Sequence, residues 1–118
     1  MTNMNKAYFL GTIGRTPELR TSVGGEALAL VSIGTPRVER IDGEVVTNMD
    51  WHRLTAKGDL AAVVAGFGKG DKVAVECVCI PRRWTDKDGN AHHDVAMKIT
   101  SVLWRTAASP AAVAAVAE

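Results

Sequence analysis

A chain of 118 residues with 47% hydrophobic residues and a mean hydropathy of +0.03 has material for one packed domain, which excludes wholesale disorder and a pair of ordinary-sized domains. Fourteen Lys and Arg against thirteen Asp and Glu leave a formal charge of +1, so bulk basicity does not announce a nucleic-acid partner. No apolar run reaches the ~18 residues of a membrane span and no secretory signal opens the sequence, so a cytoplasmic protein is expected.

The first strand is expected over 5–15, with Tyr8, Leu10 and Ile13 in it and Gly11 and Gly14 as bend points. Pro17 interrupts a central strand, Glu18-Leu19-Arg20 resumes the extended path, and Gly24-Gly25 turns it back. Near-continuous apolar content from Ala27 to Thr35 reads as a strand buried on much of both faces, with Pro36 ending it; periodicity alone leaves a short helix open. Asp42-Gly43 signals a second hairpin into a strand from Val45 to Ala56, where Met49, Trp51, Arg53 and Thr55 share one face and His52 and Leu54 take the other. Asp59 is expected to N-cap a short helix, Leu60 to Phe67, that closes around Gly66 and Gly68. A strand from Lys72 to Trp84, a turn over Asp86-Lys87-Asp88-Gly89-Asn90 and a strand from His92 to Leu103 complete a third hairpin, in which Pro81 marks an edge or a bend. This order predicts an all-β fold, a five-stranded OB-type barrel with one short helix between strands 3 and 4. The barrel domain is placed at residues 1–105, and the Ala-rich segment 106–118 is left outside it as a tail or a short helix after Pro110.

Catalytic chemistry finds little support, since the sequence has no nucleophile elbow, P-loop or metal signature. Cys77 and Cys79 lie two apart on one strand, where a bridge is geometrically poor, and the adjacent His92 and His93 point to opposite faces. No cofactor and no metal are expected. What stands out is the placement of basic residues beside aromatics: Arg82 and Arg83 precede Trp84, Arg53 follows Trp51 by two, and Arg37 and Arg40 share one segment.

The run Gly11-Thr12-Ile13-Gly14-Arg15-Thr16-Pro17-Glu18-Leu19-Arg20, with Asp50-Trp51-His52-Arg53-Leu54, Lys57-Gly58-Asp59-Leu60-Ala61, Lys69-Gly70-Asp71-Lys72-Val73 and Arg83-Trp84-Thr85-Asp86-Lys87-Asp88-Gly89, resembles bacterial single-stranded-DNA-binding proteins over roughly residues 4 to 103. The resemblance implies an OB fold, commonly a homotetramer, that holds single strands without sequence readout in replication, repair or recombination. Trp51 and Trp84 match its stacking tryptophans, His52 matches a subunit-interface position, and Trp104 has no counterpart and reads as a packing or interface residue. Phosphate contacts are assigned to Arg53, Lys57, Lys72, Arg82, Arg83 and Lys87, ahead of Lys6, Arg15 and Arg20, whose strand builds a dimer contact in the family.

The chain also departs from that pattern. Arg37-Val38-Glu39-Arg40 stands where the family carries an aromatic before a charged turn, and Lys57 stands where an aromatic precedes Gly-Lys, so two platforms are lost. Each stacked base contributes roughly 1–3 kcal/mol, so binding is expected to be weaker and more dependent on salt. The sequence ends Ala-Val-Ala-Ala-Val-Ala-Glu in place of the family's acidic, hydrophobic-ended tail, either as a specialised paralogue or with the tail removed, which leaves recruitment of other DNA-processing proteins open. The rival reading is a dimeric, primosomal-type OB adaptor that acts mainly through protein contacts.

Overall fold

Strands start and stop at the turn residues. The computed structural model describes residues 3–108 and orders them as β1 (Ala7–Ile13), β2 (Glu18–Thr21), β3 (Ala27–Ile41), β4 (Glu44–Lys57), α1 (Asp59–Ala65), β5 (Lys72–Thr85) and β6 (Ala91–Thr106). Asp42 and Gly43 both carry positive φ, 51° and 81°. That is the mirror-image geometry of a two-residue hairpin, and Ile41 pairs directly with Glu44 across it. The first predicted strand is split into β1 and β2 on either side of the buried Pro17, so the five barrel strands become six segments.

Ring closure depends on β1 serving two neighbours. It runs antiparallel to β5 from Ala7↔Cys77 to Thr12↔Lys72, and its last residues pair with β3 as Thr12↔Gly34 and Ile13↔Ile33. With β3 on β4, β4 parallel to β6 at Leu54 and Thr55, and β6 on β5, the sheet closes. This is the closed all-β barrel with one helix that the sequence predicts. The crossing of β1 over β3 is tight enough to require glycine: a Cβ on Gly11 would fall on the carbonyl oxygen of Gly34 and lie 2.8 Å from Cγ2 of Ile33. On β6, Thr100 and Leu103 are extra residues in the register with β5, and such bulges bend a strand around a barrel. Thr100 Oγ1 donates to the Glu76 carbonyl at 3.1 Å.

The interior holds Ile13, Val31, Ile33, Leu54, Val73, Val75, Cys77 and Ile99, and α1 covers one end with Ala61 and Val64, followed by Phe67. Each buried Val, Ile or Leu contributes roughly 1.5–3 kcal/mol relative to exposure. The buried Cys77 thiol is pushed up to about 11, first by burial, which fits an inert packing residue. Among the described residues no helix is long and apolar enough to cross a membrane.

Four local expectations are corrected. Pro36 does not end β3, which continues to Ile41: β1 leaves β3 at Gly34, so beyond that point one edge is open and a residue without an N–H fits there. Asp59 is the first helical residue rather than the cap; Gly58 takes the N-cap at φ 64°, its N–H bonded to the Ala27 carbonyl at 3.0 Å, and no side chain caps the helix. The helix closes at Gly66 rather than Phe67. The last strand runs three residues beyond Leu103, and the expected helix after Pro110 lies outside the described residues.

That extension is anchored by Asp71, 4% exposed, which accepts hydrogen bonds from the Gly68 N–H (2.8 Å), the Ala108 N–H (2.9 Å) and Arg105 Nε (3.0 Å). Arg105 also donates to the Gly66 carbonyl at 3.1 Å. Burial alone would push the Asp71 carboxyl up; the donors from Gly68, Ala108 and Arg105 outweigh it and hold the group below its ordinary range. A depressed carboxylate contributes stability above its unfolded pKa and loses it as pH falls through the folded one. Asp71→Ala is therefore expected to lower stability at pH 7 by about 1.5–3 kcal/mol and to narrow the difference between pH 7 and pH 3, both read by urea unfolding.

Candidate nucleic-acid interface

Outside the closed ring, two hairpins continue as arms: β3–β4 from Thr35 and Asp50 to the Asp42-Gly43 turn, and β5–β6 from Ile80 and Ala96 to the Asp86–Asn90 turn. At the base of the first arm Trp51 pairs with Gly34 and lays its indole over it; a Cβ on Gly34 would lie 2.6 Å from the Trp51 ring and 3.0 Å from Met49 Sδ. The same arm face carries Pro36 and Met49, then Val38 and Thr47, a largely apolar strip. The opposite face is polar. Arg37 holds Asp50 through Nε (2.9 Å) and Nη2 (3.2 Å) and also pairs with Glu39. Thr35 Oγ1 and His52 Nε2 share a hydrogen bond of 2.8 Å, and the His52 ring packs 4.6 Å from Phe9.

At the base of the β5–β6 arm, that hairpin and the neighbouring parts of β2, β3 and β4 line a groove of about 740 Å³ whose cations are Arg15, Arg20, Arg53 and Arg82. Acid lies among them. Arg82 is held bidentately by Asp94 across the β5–β6 arm, Nε to Oδ1 at 2.9 Å and Nη2 to Oδ2 at 2.6 Å, and Arg20 pairs with Glu18 at 2.9 Å. The hydrogen bond from Arg82 holds the exposed Asp94 carboxyl below its usual range. Arg53 carries no carboxylate partner among the described residues.

On the β5–β6 arm, Arg82↔Asp94 and Trp84↔His92 are successive pairs on one face. The Trp84 indole is 48% exposed, lies 5.9 Å from the Arg82 guanidinium carbon, and stacks on His92 with ring centroids 5.3 Å apart and planes 18° from parallel. One half-buried indole, Trp51, and one exposed indole, Trp84, thus accompany a groove whose cations are arginines, and aromatic faces beside basic residues are the combination that receives bases and phosphates of an unpaired strand.

A family model, described as the single-strand binding protein family, matches residues 4–104. The chain belongs to that family. It is 32% identical over 96 residues to single-stranded DNA-binding protein 1 of Xylella fastidiosa (strain 9a5c), covering 79% of this chain and 71% of that one. Two solved structures share the fold. A Plasmodium falciparum SSB in complex with ssDNA superposes with a TM-score of 0.70 at 21% identity, over 85% of this chain and 90% of the other. A deletion mutant of the single-stranded DNA binding protein from Thermus aquaticus superposes with a TM-score of 0.69 at 23% identity, over 86% of this chain and 51% of that one. The barrel is therefore the OB fold of this family, and the activity of the family is single-stranded DNA binding.

Of the residues singled out from sequence, Trp51 and Arg53 share the outer face of β4, Arg82 and Trp84 share one face of the β5–β6 arm, and Arg53 and Arg82 meet in the groove. Arg83 pairs with His93 on the alternate face of that arm, and Lys87 sits in its turn. Lys57 ends β4 and Lys72 begins β5, so both flank the segment that carries α1, away from the arms. Lys72 shares the outward row of Thr12 and Thr106, beside the row Leu10, Ala74 and Trp104. His52 lies on the face opposite Trp51. Among the described residues no group of three or more His, Cys, Asp and Glu could hold a metal ion. Arg15 and Arg20, ranked behind the others because of their strand, line the groove, and the His92 stack had no signal in spacing alone.

The bare Cα of Gly34 sets how close Trp51 lies to the sheet. Gly34→Ala is expected to displace the indole and shift Trp51 emission, read in a background where Trp84 and Trp104 are phenylalanine, with a stability loss in the roughly 1–3 kcal/mol range of an overpacked site.

Proposed function

We propose that this chain binds single-stranded DNA by stacking bases on Trp51 and Trp84 while phosphates run along Arg15, Arg20, Arg53 and Arg82, without reading sequence. The observation that supports it is the groove itself, lined by four arginines, with the half-buried Trp51 on the same outer face as Arg53 and the exposed Trp84 on the same face as Arg82. A guanidinium already held in a planar fork by Asp94 presents the geometry that a phosphate accepts. Arg83 and Lys87 extend the contact along the β5–β6 arm; Lys57 and Lys72 contribute longer-range attraction from the helix end.

The protein acts by holding DNA rather than by reacting with it, in the cytoplasm, covering exposed strands during replication, repair or recombination. It assembles as a homotetramer. Tyr8, Leu10 and Trp104, between 47% and 64% exposed on the outward face of β1, β5 and β6, supply an apolar surface for that assembly, and His52 supplies a further contact.

Titration of the full chain with oligo-dT should quench tryptophan emission, and Trp84→Ala should weaken binding by about 5- to 150-fold, the equivalent of one lost stack. Asp94→Asn should tighten binding severalfold, because Arg82 then meets phosphate without a competing carboxylate. Affinity should fall with added salt. Absence of quenching at low salt would overturn the reading in favour of a protein-interaction adaptor on the same barrel.

A further inference from the structure

The β5–β6 arm is electrically balanced except for its histidines. From 82 to 94 its cations are Arg82, Arg83 and Lys87 and its carboxylates are Asp86, Asp88 and Asp94, three of each, so a proton gained by an imidazole decides whether the arm is neutral or positive. His92 is the imidazole placed to matter. Its ring covers one face of Trp84, and its Nε2 lies 2.7 Å from Asp86 Oδ2. Asp86 is itself immobilised, because its Oδ1 accepts the N–H groups of Asp88 and Asn90 at 2.9 Å each. A counter-ion fixed by the turn therefore holds a titratable ring flat against a base-stacking plate. The 5.3 Å centroid separation leaves no room for a base between the two rings, so a base stacks on the other face of Trp84 with His92 beneath it.

We propose that His92 is a positioning residue for the Trp84 plate and makes single-stranded DNA binding proton-sensitive, the imidazolium form binding more tightly than the neutral form. This rests on the DNA-binding reading above. Strand phosphates flanking the stacked base approach an arm that is neutral with His92 neutral and positive with His92 charged. The bound state therefore retains a proton that the free state gives up more readily, and by linkage affinity rises as pH falls through the range where imidazoles titrate, about pH 8 to pH 5. The charged and titratable groups around the ring are Asp86, Lys87 and Asp88 of the turn, Arg83 and Arg82 of β5, and His93 and Asp94 of β6; the shallow pocket beside the stack is lined by Arg83, Trp84, Thr85, Ala91, His92 and His93. The hydrogen bond with His92 is the largest influence holding the Asp86 carboxyl below its usual range, so the counter-ion stays ionised throughout that interval. His93 occupies the alternate face, opposite Arg83 and away from the face on which His92 stacks on Trp84, so it separates an effect of the stacked imidazole from that of any added charge on the arm.

The test measures oligo-dT affinity of the full chain at pH 5.5 and pH 8.0 at one salt concentration, for the wild type, His92→Phe, His92→Lys and His93→Gln. Thymine does not titrate in this interval. The wild type should bind about 2- to 5-fold more tightly at the lower pH, the scale of one exposed charge contact. His92→Phe, which keeps an aromatic plate without the charge, should lose that slope and bind at both pH values much as the wild type does at pH 8.0. His92→Lys should lose the slope from the tight side, and His93→Gln should keep it. A slope that survives in His92→Phe, or a wild type that binds equally at both pH values, overturns the proposal and leaves DNA binding standing. No binding at either pH overturns both.

Discussion

β1 is hydrogen-bonded on one edge to β5 and at its end to β3, and every other feature follows from that double use. A strand can serve two partners at one corner only where the chains approach more closely than side chains allow, which is what Gly11 supplies against Gly34. Closure there fixes how far the barrel extends along each strand. β3 is released after Gly34 and β5 after Cys77 on the β1 side, and what remains of each hairpin projects as an arm with free edges. Those free edges accommodate Pro36 and Pro81, and they also expose the faces on which Trp51 and Trp84 stand.

The closure residue and the proposed stacking site meet at one point. Gly34 contributes the carbonyl that Gly11 must accommodate and the bare Cα on which the Trp51 indole rests. Stability of the barrel and placement of the first plate are therefore coupled through one residue, whereas the second plate is set locally, by the register of the β5–β6 hairpin and the hydrogen-bonded turn at Asp86. Trp51 is built into the barrel wall; Trp84 is carried on an arm beyond it.

Much of this was legible in the sequence where information is local. The Asp42-Gly43 turn, the alternation that separates Trp51 from His52, and the helix between the third and fourth barrel strands follow from residue chemistry and short periodicity. Features set by distant partners were not. Whether Pro36 ends a strand depends on where β1 lets go of β3; whether Arg15 and Arg20 reach the groove depends on β2 being laid against β3 beside β4; Asp71 meets Arg105 across 34 positions. His92 stacks on Trp84 only because the turn spans Asp86–Asn90 and sets those two residues opposite each other, a register the residues signal without stating.

A net charge of +1 understates the binding surface because it counts arginines and their carboxylates together. Arg20 with Glu18 and Arg82 with Asp94 are exposed pairs in the groove, and such pairs contribute little to folding. Under the binding mode proposed above, their consequence is for binding. Each carboxylate occupies the position a phosphate would take, so an arriving strand exchanges one anion for another instead of meeting bare positive charge. The electrostatic gain per contact is smaller than for an unpaired cation, and stacking on the two indoles must supply a larger share of the affinity. Arg53, which carries no carboxylate partner among the described residues, is the groove position where a phosphate contact needs no such exchange. In that binding mode the surface is tuned by its acids as much as by its bases, and the proposed proton on His92 shifts the balance in the same sense as removal of a carboxylate.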